Sequence, residues 1–173
     1  CSDSTVRLWN VQSGEELILN GHTKEVLRIL FSSDGKYLLS QSTDGTIRVW
    51  DTANNVEIAA LGGYADSTFD IDFSPDGLTL ASTDLNASVS VWDVNSRTLL
   101  GSIQTSPYHK QPSSIAISPD GNILATTDWN TKVTFWNLHT REQIGAIEYS
   151  NSEAPAMSFS PDGKTLATTG VEN

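Results

Sequence analysis

The side chains that could carry out acid–base or metal chemistry are few and widely separated in this chain of 173 residues. It contains three histidines, His22, His109 and His139, and no two of them stand at the spacing of metal ligands. There is no HExxH pattern, no G-x-S-x-G elbow, no P-loop and no dinucleotide fingerprint. The sequence therefore predicts no catalytic residue, no metal site and no cofactor.

Four aspartates recur at nearly constant spacing and invite comparison with a calcium-binding array: Asp34, Asp76, Asp120 and Asp162. Each of them precedes a glycine, and in three cases a proline precedes the aspartate. Such sequences form tight turns, because proline presets φ and glycine adopts the left-handed conformation that closes the turn. No EF-hand loop surrounds any of them. We therefore expect solvated turn residues rather than calcium ligands.

The turns belong to an internal repeat, which decides the fold class. The segment Phe31-Ser-Ser-Asp-Gly35 recurs three times, with glycine spacings of 42, 44 and 42 residues. A second marker is a ladder of tryptophans, each followed by Asp or Asn, at Trp9, Trp50, Trp92 and Trp136. Two independent markers thus share one period, and periods of 20–50 residues indicate a repeat architecture.

Each period contains strand patterns only. Leu27, Ile29 and Phe31 alternate with other residues before the first turn, which is the signal of a β-strand. Further strands are predicted at Tyr37–Ser42, Thr46–Trp50 and Val56–Leu61. Four antiparallel strands in about 42 residues make one propeller blade. The sequence therefore predicts an all-β fold, a β-propeller of four-stranded antiparallel blades.

The repeat resembles the WD-repeat β-propellers over the whole chain. Gly21-His22, Ser33-Asp34-Gly35, Asp44-Gly45 and Trp50-Asp51 carry the resemblance in combination and spacing. The Ser-Pro-Asp-Gly turns look similar to those of bacterial members. The resemblance implies a Trp–Ser/Thr–His–Asp hydrogen-bonded tetrad in each blade.

Only the first complete repeat matches this tetrad. It offers Trp50, His22 and Asp44, with Ser40, or Ser42 on the same face, as the hydroxyl. The chemistry is sound, because Trp donates one N–H, Ser relays it and an acceptor orients the His. In later repeats the histidine position becomes Tyr64, Tyr108 and Ser150, and the aspartate position becomes Asn86, Asn130 and Glu172.

The phase of the repeat predicts five segments. They are a half blade 1–20, blades 21–62, 63–104 and 105–148, and a half blade 149–173, together one WD-repeat propeller domain over 1–173. The two half blades are complementary, and unpaired strand edges favour association. Three forms of closure stay open: a head-to-tail homodimer with an eight-bladed ring, the remainder of a longer propeller, and a closed four-bladed monomer.

One face gathers aromatic residues. Loops between the fourth strand of one blade and the first strand of the next emerge on the same side as loops between second and third strands. These loops carry Tyr64, Tyr108, His109, Trp129 and Tyr149. Aromatic residues dominate interface hot spots, so this rim is the candidate surface for a partner. The tyrosines could equally be tetrad substitutes that pack between blades, whereas an exposed contact is favoured for Trp129.

Composition narrows the function further. Lys and Arg number 10 against 21 Asp and Glu, a net charge of −11, which argues against nucleic-acid or anionic-membrane partners. One cysteine excludes an internal disulfide framework, and we expect a cytoplasmic protein. The favoured function is a non-enzymatic scaffold for a protein or peptide partner. The alternatives are a sensor or regulatory segment of a larger signalling protein, and a propeller-type hydrolase.

Overall fold

Every regular element in the described part of the chain is a β-strand. The computed structural model describes residues 3–62, 70–83, 87–105, 112–127, 132–148 and 156–169. Within these ranges the strands form antiparallel sheets in which sequential strands are neighbours, and none of them contains a helix that could cross a membrane. The predicted all-β class is confirmed. The chain divides into two units, Cys1–Ser67 and Thr68–Asn173.

The first unit contains a two-stranded and a four-stranded sheet. Its strands are β1 (Val6–Trp9), β2 (Glu16–Leu19), β3 (Val26–Phe31), β4 (Tyr37–Ser42), β5 (Thr46–Asp51) and β6 (Val56–Gly62). Strand β1 pairs with β2, and the other four strands form a meander in chain order. The core of this unit joins the two sheets, because Val6 and Leu19 pack with Val26, Leu38 and Trp50.

The second unit contains two four-stranded sheets and one two-stranded sheet. Its strands are β7 (Ile71–Phe73), β8 (Thr79–Thr83), β9 (Ser88–Asp93), β10 (Thr98–Gln104), β11 (Ser114–Ile117), β12 (Ile123–Thr127), β13 (Lys132–Asn137), β14 (Gln143–Glu148), β15 (Met157–Phe159) and β16 (Leu166–Thr168). Val89, Val91 and Ile103 of one sheet pack with Leu124 and Trp136 of the next in a common core. Consecutive repeats are therefore stacked face to face within this unit.

Serine and aspartate together close four hairpins, those between β3 and β4, β7 and β8, β11 and β12, and β15 and β16. In the first of these turns Ser32 Oγ donates to Asp34 Oδ1 at 2.8 Å, and the amide of Lys36 donates to the same oxygen at 3.0 Å. The amide of Gly35 donates to the Ser32 carbonyl at 2.9 Å, with φ at +71°. The left-handed glycine predicted from the sequence is thus present, and it recurs at Gly77, Gly121 and Gly163.

The residue after each ladder tryptophan closes a second kind of turn. Asp51 Oδ1 accepts the amides of Ala53 and Asn54, at 2.8 and 2.9 Å. Asn137 Oδ1 does the same for His139 and Thr140, at 2.9 Å each. These Asx turns satisfy amides that the sheet does not, and they lead the chain into the third-to-fourth-strand hairpin.

Candidate functional site

Four side chains from separate elements meet beside the sheet of the first unit. Trp50 Nε1 donates to Ser40 Oγ at 2.8 Å, and Ser40 Oγ lies 2.7 Å from His22 Nε2. His22 Nδ1 lies 2.9 Å from Asp44 Oδ2. The structure thus brings together all four residues that the resemblance implied, with Ser40 as the hydroxyl. Ser42 instead donates to the carbonyl of Lys24 at 3.1 Å.

Ser40, His22 and Asp44 are connected as in a hydrolytic triad, yet their setting does not suit nucleophilic chemistry. Ser40 is fully buried, at 0% exposure, and its Oγ already accepts the indole N–H of Trp50. A nucleophile needs an open path to a substrate carbonyl. The chain of hydrogen bonds is consistent in one direction, because Ser40 O–H can donate to His22 Nε2 while Nδ1–H donates to Asp44. Trp50, Ser40, His22 and Asp44 therefore form a structural brace of hydrogen-bonded side chains.

Asp44 extends the brace to two loops at one edge of the sheet. Its Oδ2 accepts the amide of Thr23 at 2.9 Å, and its Oδ1 accepts the hydroxyl of Thr46 at 2.6 Å. Burial opposes ionisation of this carboxyl, but the hydrogen bonds from Thr46, Thr23 and His22 outweigh it and hold the Asp44 pKa well below its usual range. The amide of Thr43 also donates to the Glu25 carbonyl, at 3.0 Å. The loop before β3 and the turn before β5 are therefore tied together.

Gly21 lies close to the side chains of Arg48, Trp50 and Glu57, which leave little room for a side chain at this position. A Cβ at this position would lie 3.0 Å from Trp50 Cη2 and 2.7 Å from Arg48 Nη1. Arg48 forms an ion pair with Glu57, which covers the same spot. Sequence reasoning used Gly21 only as a marker of the repeat and missed this packing role, because Arg48 and Glu57 come from later strands.

The later repeats retain part of the brace. In the second unit Trp136 Nε1 donates to Thr126 Oγ1 at 3.0 Å, and Thr126 occupies the register position of Ser40. Trp92 faces Leu80 across β8 and β9, as Trp50 faces Leu38. The residues at the histidine and aspartate positions of these repeats lie outside the described residues: Tyr64, Asn86, Tyr108, Asn130, Ser150 and Glu172.

Trp9 differs from the other tryptophans of the ladder. It is 59% exposed, whereas Trp50 is 2% and Trp136 is 8% exposed. In the four-stranded sheets the strand that carries the tryptophan is paired with a neighbour on each side. Within the described residues β1, which carries Trp9, pairs only with β2. The exposed indole lies beside a groove of about 350 Å³ that also includes Val26, Leu27 and Ile29.

The recurrent turn aspartates do not gather into a metal site. Each accepts the hydroxyl of the serine two residues before it, and for Asp120 this bond from Ser118 is 2.5 Å long. The hydrogen bonds from Ser118 and Asn122 lower the Asp120 pKa to about 2. Across the described ranges no group of three His, Cys, Asp or Glu residues could hold a metal ion. Each of these carboxylates accepts hydrogen bonds within its own turn.

Comparison with known families agrees with the repeated arrangement of strands. The family model described as "WD domain, G-beta repeat" matches residues 15–51, 56–93 and 100–137, well over half of the chain. Its first match contains all four braced residues, from His22 to Trp50. The chain belongs to the WD-repeat family. Proteins of this family generally mediate protein–protein interaction, and their repeats are typically non-enzymatic.

Individual relatives match about one WD repeat of the chain. "Apoptotic protease-activating factor 1" of Danio rerio is 45% identical over 51 residues, which is 28% of this chain and 4% of the relative. "Coronin-like protein" of Saccharomyces cerevisiae is 43% identical over 49 residues, 28% of this chain and 8% of the relative. "Target of rapamycin complex subunit wat1" of Schizosaccharomyces pombe is 43% identical over 49 residues, 27% of this chain and 16% of the relative. The match thus spans a small share of each relative's length.

The aromatic rim predicted from the sequence falls in the loops between the WD strands. Its five residues, Tyr64, Tyr108, His109, Trp129 and Tyr149, all lie outside the described residues. The rim therefore stays a prediction about which surface meets a partner.

Proposed function

We propose that this WD-repeat chain is a non-enzymatic scaffold that presents one loop edge of its sheets to a protein or peptide partner. The observation that carries the proposal is the brace at that edge. Through Asp44 it fixes the loop at Thr23 to the turn at Thr46, by hydrogen bonds of 2.9 and 2.6 Å. Loops held in place before binding lose less conformational entropy on binding, which favours affinity.

The residue types at the same edge support a protein partner. The repeat pattern of the sequence predicts that Tyr64, Tyr108, Trp129 and Tyr149 lie in connections on that side. Tyrosine and tryptophan are enriched at the centres of protein interfaces, because they combine apolar area with a polar handle. The net charge of −11 favours a partner segment of basic character.

A displayed library of unstructured peptides tests this proposal. Peptides enriched on the wild-type chain are measured by calorimetry against the rim variant Tyr108→Ala/Trp129→Ala. The matched control is Val11→Ala/Leu78→Ala, two exposed apolar residues in turns at the opposite edge. We expect basic peptides that lose at least about tenfold in affinity on the rim variant and nothing on the control. Equal losses on both variants, or no enriched peptide, would contradict the proposal.

We also propose that two copies associate head to tail through β1 and β16. In the complete sheets a leucine of the second strand faces the tryptophan of the third: Leu38 with Trp50, Leu80 with Trp92 and Leu124 with Trp136. By repeat position Leu166 of one copy would face Trp9 of the other, and Thr168 would receive the Trp9 indole N–H. Burial of the exposed Trp9 and pairing of two strand edges favour this association.

Cross-linking and mass measurement test the association. Trp9→Cys/Leu166→Cys, in a Cys1→Ser background, is oxidised and compared with the variant that carries Trp9→Cys alone. We expect a disulfide-linked species of twice the chain mass of 18.7 kDa, and light scattering that gives the same doubled mass for the wild type. A monomeric wild type, with the double variant cross-linked only within one chain, would exclude the homodimer and leave the scaffold proposal intact.

We also propose a regulatory role and a cellular location for the scaffold. Two relatives are named as an apoptotic protease-activating factor and as a subunit of a target-of-rapamycin complex. The first name describes activation of a protease and the second a subunit of a complex, which supports a role for these repeats as a regulatory module in a larger protein or assembly. We place this role in the cytoplasm, since one cysteine in 173 residues suits a reducing compartment.

A further inference from the structure

Asp70, which immediately precedes β7, and Asp72 on β7 turn their carboxylates toward the backbone of β11, the first strand of the next sheet. Asp70 Oδ2 accepts the amide of Ile115 at 2.9 Å. Asp72 Oδ2 accepts the amide of Ile117 at 2.7 Å. Both aspartates and both isoleucines belong to the second unit of the chain. These carboxylates accept hydrogen bonds from backbone amides, as backbone carbonyls do between paired strands.

Each carboxylate also binds the amide that follows it in its own strand. Asp70 Oδ1 accepts the Ile71 amide at 2.9 Å, and Asp72 Oδ1 accepts the Phe73 amide at 2.9 Å. Repeat alignment places Ile71 with Ile115 and Phe73 with Ile117. Each aspartate therefore bridges two amides that occupy the same position in consecutive repeats.

The two isoleucine amides are available for this contact because of how β11 pairs. In an antiparallel strand, successive residues direct their N–H groups to opposite edges. Ile115 and Ile117 are two residues apart, so both amides leave the same edge, where they meet the carboxylates of Asp70 and Asp72. The Ser114 hydroxyl adds a third donor to this junction, at 2.9 Å from Asp70 Oδ2.

The junction is buried, which makes its hydrogen bonds consequential. Asp70 is 4% exposed, and Ser114 and Ile115 are equally well covered. Thr83 holds the backbone of Asp70 from the other side, because the Asp70 amide donates to Thr83 Oγ1 at 2.9 Å. Hydrogen bonds to an ionised acceptor are stronger than neutral ones, and a buried amide left without an acceptor is costly.

This arrangement belongs to one repeat. The positions that correspond to Asp70 and Asp72 hold no acidic residue in the other repeats: Arg28 and Leu30, Ser114 and Ala116, Ala156 and Ser158. It is therefore not a consequence of the WD repeat pattern itself.

We propose that Asp70 and Asp72 form a carboxylate clamp that holds the first strands of two consecutive WD repeats at a fixed distance and in a fixed offset of one repeat. The clamp makes the exchange protection of these amides depend on carboxylates of the preceding repeat. It does not depend on the function proposed above, because no partner contacts enter it.

Amide hydrogen exchange, followed by NMR, tests the clamp residue by residue. Asp70→Asn keeps the shape of the side chain but supplies one acceptor oxygen where the carboxylate supplies two. We expect the exchange rate of the Ile115 amide, or of the Ile71 amide, to rise at least about tenfold in this variant. In Asp72→Asn the same rise is expected at Ile117 or Phe73. Asp72 is less deeply buried than Asp70, so its variant provides the test if Asp70→Asn does not fold.

The matched control is Asp120→Asn, which removes a carboxylate that serves only its own turn in the described contacts. It should leave the exchange of Ile115 and Ile117 unchanged. Paired effects at the bridged amides, with other amides of β8 and β12 unchanged, support the clamp. A uniform rise across the whole unit, or unchanged rates at all four bridged amides, would overturn it.

Discussion

Trp50 and Asp44 are joined by a chain of three hydrogen bonds that passes through Ser40 and His22. The distances along it are 2.8 Å from Trp50 Nε1 to Ser40 Oγ, 2.7 Å to His22 Nε2 and 2.9 Å from His22 Nδ1 to Asp44 Oδ2. A side chain in the third strand is thereby connected to the turn that precedes that strand. The brace links the core of the first unit to its loops.

Removal of the tryptophan should therefore destabilise this unit strongly. Trp50→Ala is expected to lower the free energy of unfolding by about 3–5 kcal/mol, through lost packing and a Ser40 hydroxyl deprived of its donor. Val11→Ala is the control at an exposed apolar residue, and its 98% exposure predicts a loss below about 1 kcal/mol. Urea denaturation followed by circular dichroism measures both. A loss below about 1 kcal/mol for Trp50→Ala would refute the structural role of the brace.

Acid should weaken the brace through Asp44. Its folded pKa lies below the usual value of 3.8, so its contribution to stability is complete well above that value and is lost as pH falls through 4 and below. We expect Asp44→Asn to be less stable than wild type at pH 7, with the difference shrinking toward pH 3. Urea midpoints measured at several pH values give the difference. Parallel pH profiles for the two proteins would be inconsistent with this assignment.

A side chain at Gly21 should destabilise the first unit. Gly21→Ala places a methyl group 3.0 Å from Trp50 Cη2 and against the ion pair of Arg48 with Glu57. Overpacking of this kind costs about 1–3 kcal/mol. Gly62→Ala is the control, since no atom of the described residues lies within 4 Å of the added carbon, and its effect should stay within about 0.5 kcal/mol. Thermal unfolding of the two variants provides the comparison, and equal melting temperatures would count against the packing role.

Arg97 offers a stabilising substitution. It has φ of +60° in the turn between β9 and β10, a conformation that costs a residue with a side chain about 1–2 kcal/mol. Arg97→Gly should therefore raise the free energy of unfolding by about 0.5–1 kcal/mol, after the entropy that glycine loses on folding. Gly14 already occupies the corresponding position of the first hairpin, with φ of +74°. The control Asn55→Gly should change little, because asparagine tolerates this conformation. Chemical denaturation distinguishes the two, and a destabilised Arg97→Gly would contradict the strain argument.

Much of the fold follows from local pattern. The strand predicted at Tyr37–Ser42 agrees with β4 at both ends, and the strand predicted at Val56–Leu61 ends one residue before β6. Alternation and glycine turns act over a few residues, so they can be recognised without knowledge of the tertiary structure. The four braced residues were also recognisable, but only because their combination resembled a family.

The contacts that join repeats could not be recognised in the same way. The carboxylate of Asp70 meets the amide of Ile115 across 45 residues of chain, at a strand edge where no side-chain pattern indicates the partner. Gly21 is similar, since the residues that cover it come from β5 and β6. In both cases a backbone group is the site of contact, and the sequence does not show which backbone groups face each other.

The sequence by itself determined the all-β class, the repeat length and the turns, because each depends on the chemistry of neighbouring residues. Tertiary structure alone decided which hydroxyl completes the brace, how strongly each ladder tryptophan is buried, and which two carboxylates bind the next sheet. Those outcomes depend on distances between residues tens of positions apart, and only the folded chain sets these distances.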